Sequence, residues 1–268
     1  MRHNTPLGKH IRKTFMLFAV IPMALAVITC LVAIGGSYKN TIRRDTELGI
    51  LNIGQDIRDL VDSTTDIIET VAGNPEIISA VEKQRTLSAK SSEILAAMLL
   101  GREDEIMQIH ILSRNGVFRY STGSIPNLFT LPVLGNYGIF YQLKQGKSVI
   151  RATKYYSYTD KQIALNIGTP IMDDSQGIIG YVVADVRHSA LDSVLRNIQG
   201  GYVHDIVLAD DRKTVACDIG RRERDGLTLG SEWDYGSQLP SGEEGWLDSN
   251  TYIWHYKNLN LLVRENKI

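Results

Sequence analysis

The sequence predicts an α+β protein made of one membrane helix, one long helix and two antiparallel sheets in tandem. Three observations carry that reading: an unbroken apolar run at Phe15–Ile34, a heptad pattern after it, and a switch to alternating strand patterns from Ile106 onward. The corresponding division is 1–14 an N-terminal arm, 15–35 a transmembrane helix, 36–104 the long helix and a helical connection, 105–200 the first sheet, and 201–268 the second.

The run Phe15–Ile34 holds 20 residues and no charged side chain. At about 1.5 Å of rise per residue it covers roughly 30 Å, the thickness of a bilayer's hydrocarbon core. Pro22 would be costly in a soluble helix but is tolerated in lipid, where neighbouring groups re-satisfy the freed carbonyl. Arg2, Lys9, Arg12 and Lys13 precede the span without acids, whereas Lys39, Arg43 and Arg44 follow it together with Asp45 and Glu47. The cation bias is small, but the short arm and the long remainder favour a signal-anchor: N-terminus cytoplasmic, bulk of the chain extracytoplasmic, anchored in the cell membrane. Two cleavage readings stand beside it, a small-residue site at Ala33-Ile34-Gly35 and a lipoprotein-like box ending at Cys30.

Composition fits one anchored globular region. The chain has 268 residues, 43% hydrophobic and 22% charged, with formal net charge -1. No basic surface argues for nucleic acid, and no acidic block argues for a solvating tail. Cys30 lies in the span and Cys217 far from it, which excludes a disulfide framework.

Tyr38 to about Val71 reads as one long helix without an internal proline. Ile50, Ile53, Ile57, Leu60, Thr64, Ile67 and Val71 step by three and four residues, a heptad seam that predicts a parallel homodimer through this helix. A second stripe, Leu51, Val61, Ile68 and Ala72, widens the apolar face and predicts packing against the helix's own domain as well. Gly49 and Gly54 each weaken the helix by about 1 kcal/mol relative to Ala. Asn74-Pro75 breaks the run, Glu76–Lys83 resumes it, and Leu87, Ile94, Leu95, Met98 and Leu99 form a further helical stripe closed by Gly101.

Ile106–Leu112 and Val117–Ser121 flank Asn115-Gly116, the strongest short hairpin signal because both residues accept positive φ. A loop with Pro126 and Pro132 leads to a short helix, Tyr137–Gln145. Strands follow at Ser148–Tyr156, Gln162–Met172 and Ile178–Val186, separated by turns at Tyr158–Lys161 and Asp173–Gly177. Leu191, Val194, Leu195 and Ile198 mark a helix closed by Gly200-Gly201. Past that boundary the pattern repeats in shorter form: a hairpin, Asp205–Asp210 and Thr214–Asp218, then Gly245–Asp248, Thr251–Tyr256 and Leu261–Arg264.

The phrases IHILSRNGVFRYSTG, LNIGTPIMDDSQGIIGYVVADV and IVLADDRKTVACD, set behind a membrane helix and a long helix, resemble the double-Cache extracytoplasmic sensor family. The resemblance covers about residues 15–268 and is nearest to the N-terminal part of membrane-bound sensor histidine kinases. It implies two tandem PAS-like sheets, a small-molecule ligand over the membrane-distal sheet, a membrane-proximal second sheet and signalling through the long helix. Amino-acid-binding members of the family carry Arg-x-Trp-Tyr on the short helix, Tyr-x-Asp on the next strand and an Asp ending the last strand. Here Gly138-Ile139-Phe140-Tyr141 holds the helix position, without the arginine, and Tyr155-Tyr156-Ser157 the strand position.

The resulting candidate ligand residues are Phe140, Tyr141, Arg151, Tyr155, Ser157 and Asp185. Without a bidentate arginine on the helix a carboxylate loses its strongest anchor, so an ordinary amino acid is disfavoured and a cationic or hydroxyl-rich molecule favoured. Each residue also has a plainer reading. Asp185 precedes a helix and would cap it; Tyr141 and Tyr155 would cover the sheet; Arg151 would face solvent by strand alternation.

No cofactor or metal is expected, since His110, His188, His204 and His255 show no ligand spacing. No phosphate loop, nucleophile elbow or His-Glu-x-x-His motif occurs, so the chain is not expected to be an enzyme. The sequence ends at Ile268 without the second span that such sensors use, which leaves a truncated chain or one that pairs with another protein. The competing reading of the whole is a membrane-anchored interaction module that uses the same fold without sensing.

Overall fold

A computed structural model describes residues 6–123, 139–152, 163–197, 206–210, 212–219, 232, 244–248, 253–257 and 259. The chain divides into two compact units, residues 1–48 and 49–268.

In the first unit, α1 (Pro6–Phe15) passes through a five-residue π-helical segment, Met16–Val20, into α2 (Ile21–Ala72). Pro22 is the second residue of α2. A proline ring collides with the carbonyl four residues back, here that of Phe18 in the π segment. The wider turn, in which the Ile21 N–H reaches back to the Met16 carbonyl, makes room for the ring. The apolar side chains of this stretch are exposed, Phe18 by 74% and Met23 by 72%. One helix near the N-terminus is therefore long and apolar enough to cross a membrane, and none of its most apolar window is buried.

The second unit is organised by the remainder of α2. Most of both apolar stripes is buried: Ile53, Ile57, Leu60, Thr64 and Val71 of the heptad seam together with Val61, Ile68 and Ala72. They share one core with Ile109, Ile111, Ile167, Val182 and Ala184 of the sheet. Residues of the seam expected to meet a second copy lie in this core. A wide apolar face can be covered by a sheet as readily as by a helix, and here the chain's own sheet covers it. Buried Thr64 and Thr65 satisfy their hydroxyls on the carbonyls of Leu60 and Val61, both at 2.8 Å.

Asn74 ends the run as expected. Its Oδ1 accepts from the N–H of Glu76 at 2.9 Å and of Ile77 at 3.4 Å, capping α3 (Pro75–Glu82) with proline in the first turn. Ser88 caps α4 (Ala89–Leu99), and Gly101 follows with φ +79°.

The first sheet contains β1 (Ile106–Ser113), β2 (Arg119–Ser121), β3 (Val149–Ala152), β4 (Ile163–Met172) and β5 (Ile178–Arg187) in the order β2-β1-β5-β4-β3, all antiparallel. The Asn115-Gly116 turn forms with Gly116 at φ +70°. Asn115 Oδ1 accepts from the Val117 N–H and the Ser113 hydroxyl. At the second turn, Asp173 Oδ1 gathers the Ser175 N–H, the Ser175 hydroxyl and the Gly177 N–H. Those bonds hold the Asp173 carboxyl below its usual range, the Ser175 hydroxyl contributing most. The short helix α5 is described at Phe140–Leu143 and the helix after β5, α6, at His188–Arg196. The proline loop, the Tyr158–Lys161 turn and Gly200-Gly201 lie outside the described residues.

Gly180 of β5 marks where α3 meets the sheet. A Cβ there would stand 2.5 Å from the Leu112 carbonyl oxygen and 2.9 Å from Val81 Cγ1. Because one neighbour is backbone, the clash has no easy relief, and Gly180→Ala is expected to destabilise the unit by about 2 kcal/mol. Urea unfolding followed by circular dichroism checks this; an unchanged midpoint would mean that α3 does not press on β5.

The second repeat is less complete than the sequence predicts. Among the described residues it consists of two separate ribbons, β6 (Ile206–Ala209) with β7 (Val215–Ile219) and β8 (Glu244–Asp248) with β9 (Ile253–Lys257), plus one bridge between Thr214 and Glu232. The expected strand Leu261–Arg264 lies outside the described residues. Ala216 and Cys217 join the main core beside Leu191 and Leu195 of α6. Leu259 also packs there, and Gly54 explains how: a Cβ on Gly54 would lie 2.8 Å from Leu259 Cδ2, while Arg58 Nη2 donates to the Leu259 carbonyl at 3.0 Å. The helix-weakening glycine is a seat for a distant part of the chain.

Candidate functional site

The two faces of the first sheet differ in chemistry. Ile109, Ile111, Ile167, Val182 and Ala184 face α2 and are all apolar. The opposite face is half apolar and half polar. On its apolar half, Leu112, Val149, Tyr181 and Val183 pack against Ile139, Phe140 and Leu143 around α5. Phe140 and Tyr181 lie with ring centroids 5.6 Å apart. Gly168 lets α5 approach, since a Cβ there would sit 3.0 Å from side-chain atoms of Ile139 and Leu143. Burial pushes the Tyr181 phenol above its usual range, against a smaller opposing pull from the Arg114 charge.

The polar half is a row across four strands. Gln108 of β1 is in register with Asp185 of β5, Asp185 with Asn166 of β4, and Asn166 with Arg151 of β3. Residues directly opposite on neighbouring strands share a face, so the row runs Gln108, Asp185, Asn166, Arg151. His110, two residues along β1 from Gln108, joins it. Asp185 is the centre: Oδ2 accepts from Gln108 Nε2 at 2.7 Å and from His110 Nε2 at 2.8 Å, and Oδ1 accepts from Asn166 Nδ2 at 2.6 Å. Asp185 and His110 are each 1% exposed and Gln108 is 2% exposed. A carboxylate this deep stays in the interior only when donors surround it, and here three do.

Of the residues predicted from sequence, Asp185 and Arg151 are brought to this row. Asp185 does not cap α6: that helix starts at His188, Arg187 stands at its cap position, and no side chain bonds there. Arg151 lies on the row's face by register rather than on the opposite side, and it is half-buried. Phe140 and Tyr141 diverge. Phe140 is 1% exposed and fills the apolar half, whereas Tyr141 is 49% exposed with Lys144 Nζ 5.0 Å from its ring. Phe140 and Leu143 are both buried beneath α5 on the apolar half of the sheet. Tyr155 and Ser157 lie outside the described residues.

Gln108, His110 and Asn166 are the residues that sequence reasoning missed. A signal existed in IMQIHIL, where Gln108 and His110 alternate with isoleucines along a strand.

No protein-family model matches the sequence, and no curated protein does either. Solved structures do. The sensor domain of the V. cholerae histidine kinase DctB aligns over 68% of this chain and 68% of its own, at TM-score 0.53 and 14% identity. The ligand-binding domain of the Pseudomonas fluorescens chemoreceptor CtaA, in complex with L-isoleucine, aligns over 81% and 86%, at 0.53 and 15%. That of the Pseudomonas aeruginosa PAO1 amino acid chemoreceptor PctC, with GABA, aligns over 76% and 87%, at 0.50 and 12%. The fold is that of the Cache-type sensor domains. At such identities the likeness is one of fold. The five-stranded sheet of this chain carries a polar row built from its own residues.

Proposed function

We propose that the chain is the extracytoplasmic, non-catalytic ligand-sensing region of a transmembrane signalling receptor. Its N-terminal helix anchors it with the N-terminus inside. A small cationic or hydroxyl-rich molecule binds over the polar row of the first sheet, residues 105–200, and the signal passes through the long helix, with residues 201–268 as a second, supporting subdomain. The observation that carries this reading is the Gln108–Asp185–Asn166 row with His110 and Arg151. A sheet face kept only for stability would be better served by apolar side chains, as the face under α2 is.

Two points bear on the ligand and on assembly. Arg151 places on this face a guanidinium that the short helix lacks, so the neighbours' amino-acid ligands belong among the molecules to be tried. For contact with a second copy, the long helix has exposed Leu48 and Leu51 to offer in place of the buried seam.

The test is a thermal-shift screen of the full chain in detergent micelles with choline, putrescine, glycerol, D-glucose, myo-inositol, succinate, L-isoleucine and GABA. A molecule present at a hundred times its Kd is expected to raise Tm by about 5 °C or more, and Gln108→Ala is expected to remove the shift. If no molecule in any class moves Tm, the non-sensing interaction module is the better reading.

A further inference from the structure

Charge is divided unevenly along the chain. Residues 1–44 hold seven of the 29 Lys and Arg residues and none of the 30 acids, the first of which is Asp45. Arg2, Lys9, Arg12 and Lys13 precede the apolar run, and the last three of them fall within α1. With spacings of three and four, Lys9, Arg12 and Lys13 take positions on one side of a helix with 3.6 residues per turn. Leu7, Ile11 and Phe15, spaced by four, take positions on the other side. Arg12 and Lys13 are exposed, and so are Ile11 by 61% and Phe15 by 65%. The apolar side continues into the next turn, where Ile11, Thr14, Phe15 and Phe18 line a shallow groove with His10 and Ala19.

Depth decides what meets these cations. Arg12 and Lys13 stand three and two residues before Phe15, so at about 1.5 Å per residue they lie about 3–5 Å outside the apolar run. A bilayer's headgroup layer is about 5–8 Å deep on each side of the hydrocarbon core, and it is the layer that holds the lipid phosphates. Beyond the other end of the span, Lys39 reaches only the edge of that layer, about 8 Å out. Arg43 and Arg44 stand about 14–15 Å past Ile34, and Asp45 and Glu47 share their stretch.

We propose that α1 is a contact site for anionic phospholipid headgroups, its cationic side taking phosphate groups and its apolar side entering the acyl boundary. The proposal rests on the membrane-anchoring part of the reading above and goes beyond it, since a span needs only apolar length. A guanidinium such as that of Arg12 meets phosphate with paired N–H donors, and a lysine such as Lys13 adds a compact charge. A zwitterionic headgroup sets its own ammonium against its phosphate, whereas an anionic one keeps a net charge, so the arm prefers the anionic lipid. The attraction is electrostatic and salt screens it.

The experiment uses the full chain reconstituted in phosphatidylcholine vesicles, probed with spin-labelled phosphatidylglycerol and spin-labelled phosphatidylcholine. Electron paramagnetic resonance separates lipid held at the protein from free lipid and gives the ratio of the two association constants. In the parent at about 10 mM salt, phosphatidylglycerol is expected to associate about threefold or more tightly than phosphatidylcholine. At about 1 M salt, where the Debye length is about 3 Å, the ratio is expected to fall toward one. Lys9→Gln, Arg12→Gln and Lys13→Gln combined are expected to remove the preference. Lys39→Gln, Arg43→Gln and Arg44→Gln combined are expected to leave most of it.

A ratio of one in the parent would overturn the proposal. So would a preference that ignores salt, survives the arm substitutions, or disappears with the substitutions beyond the span. In each of these cases lipid held at the protein still shows the span in the bilayer. If the arm variant is not obtained, the parent's ratio, its salt dependence and the other variant still decide. No held lipid with either probe overturns the anchoring reading and this inference with it.

Discussion

Asp185→Ala is expected to lower the stability of the 49–268 unit by about 3–5 kcal/mol, the loss typical when one partner of a buried charged network is removed. The substitution deletes the acceptor for Gln108 Nε2, His110 Nε2 and Asn166 Nδ2 at once, and Gln108 and His110 have almost no access to water. Each buried donor left unsatisfied costs about 1–3 kcal/mol, so the network's collapse is expected to exceed the loss of any single bond. Asp185→Asn, which retains an acceptor, is expected to cost clearly less. Urea titrations of parent and both variants, followed by tryptophan fluorescence, give the comparison. A loss below 1 kcal/mol for Asp185→Ala would show that water reaches the row and that the network is not closed.

The second large effect concerns the long helix. Ile57→Ala is expected to cost about 2–5 kcal/mol, the range for emptying a well-packed aliphatic site, because Ile57 is 1% exposed in the core that joins α2 to the sheet. Leu51→Ala, at a position 46% exposed, is expected to stay within about 0.5 kcal/mol. The pair separates two uses of one heptad pattern. If the seam met a second copy, the parent's Tm would rise with protein concentration and Ile57→Ala would weaken that dependence. If it serves the chain's own sheet, the loss is the same at every concentration. Melting curves over a hundredfold range of protein decide the matter.

What the sequence made legible was local. The change of period at Ile106, the Asn115-Gly116 hairpin, the Asp173–Gly177 turn and the Asn74-Pro75 break each depend on a few adjacent residues, and each stands where expected. The rest depended on contacts between distant residues. A heptad stripe states that a helix has an apolar face but not whether a helix or a sheet covers it, so Ile53, Ile57 and Leu60 were assigned to a partner copy. From sequence, Asp185 reads as a ligand residue or as a cap for the helix that follows it. Its partners are supplied by strands 77, 75 and 19 residues away. Tyr141 follows from the helix motif it matches beside Phe140, yet adjacent residues on a helical turn face different ways, and Tyr141 is the exposed one.

The seat of Leu259 against Gly54 and Arg58 has a consequence for how the protein is made. The Arg58–Leu259 hydrogen bond joins residues 201 positions apart. At the ordinary ribosomal rate of about 5–20 residues per second, the helix waits about 10–40 s for this partner to be synthesised. Throughout that interval the stripe from Ile53 to Val71 is an oily surface on a nascent chain, first without its sheet and then without its last strap. The Leu259 contact can therefore form only after the helix and the whole of the first sheet have been synthesised.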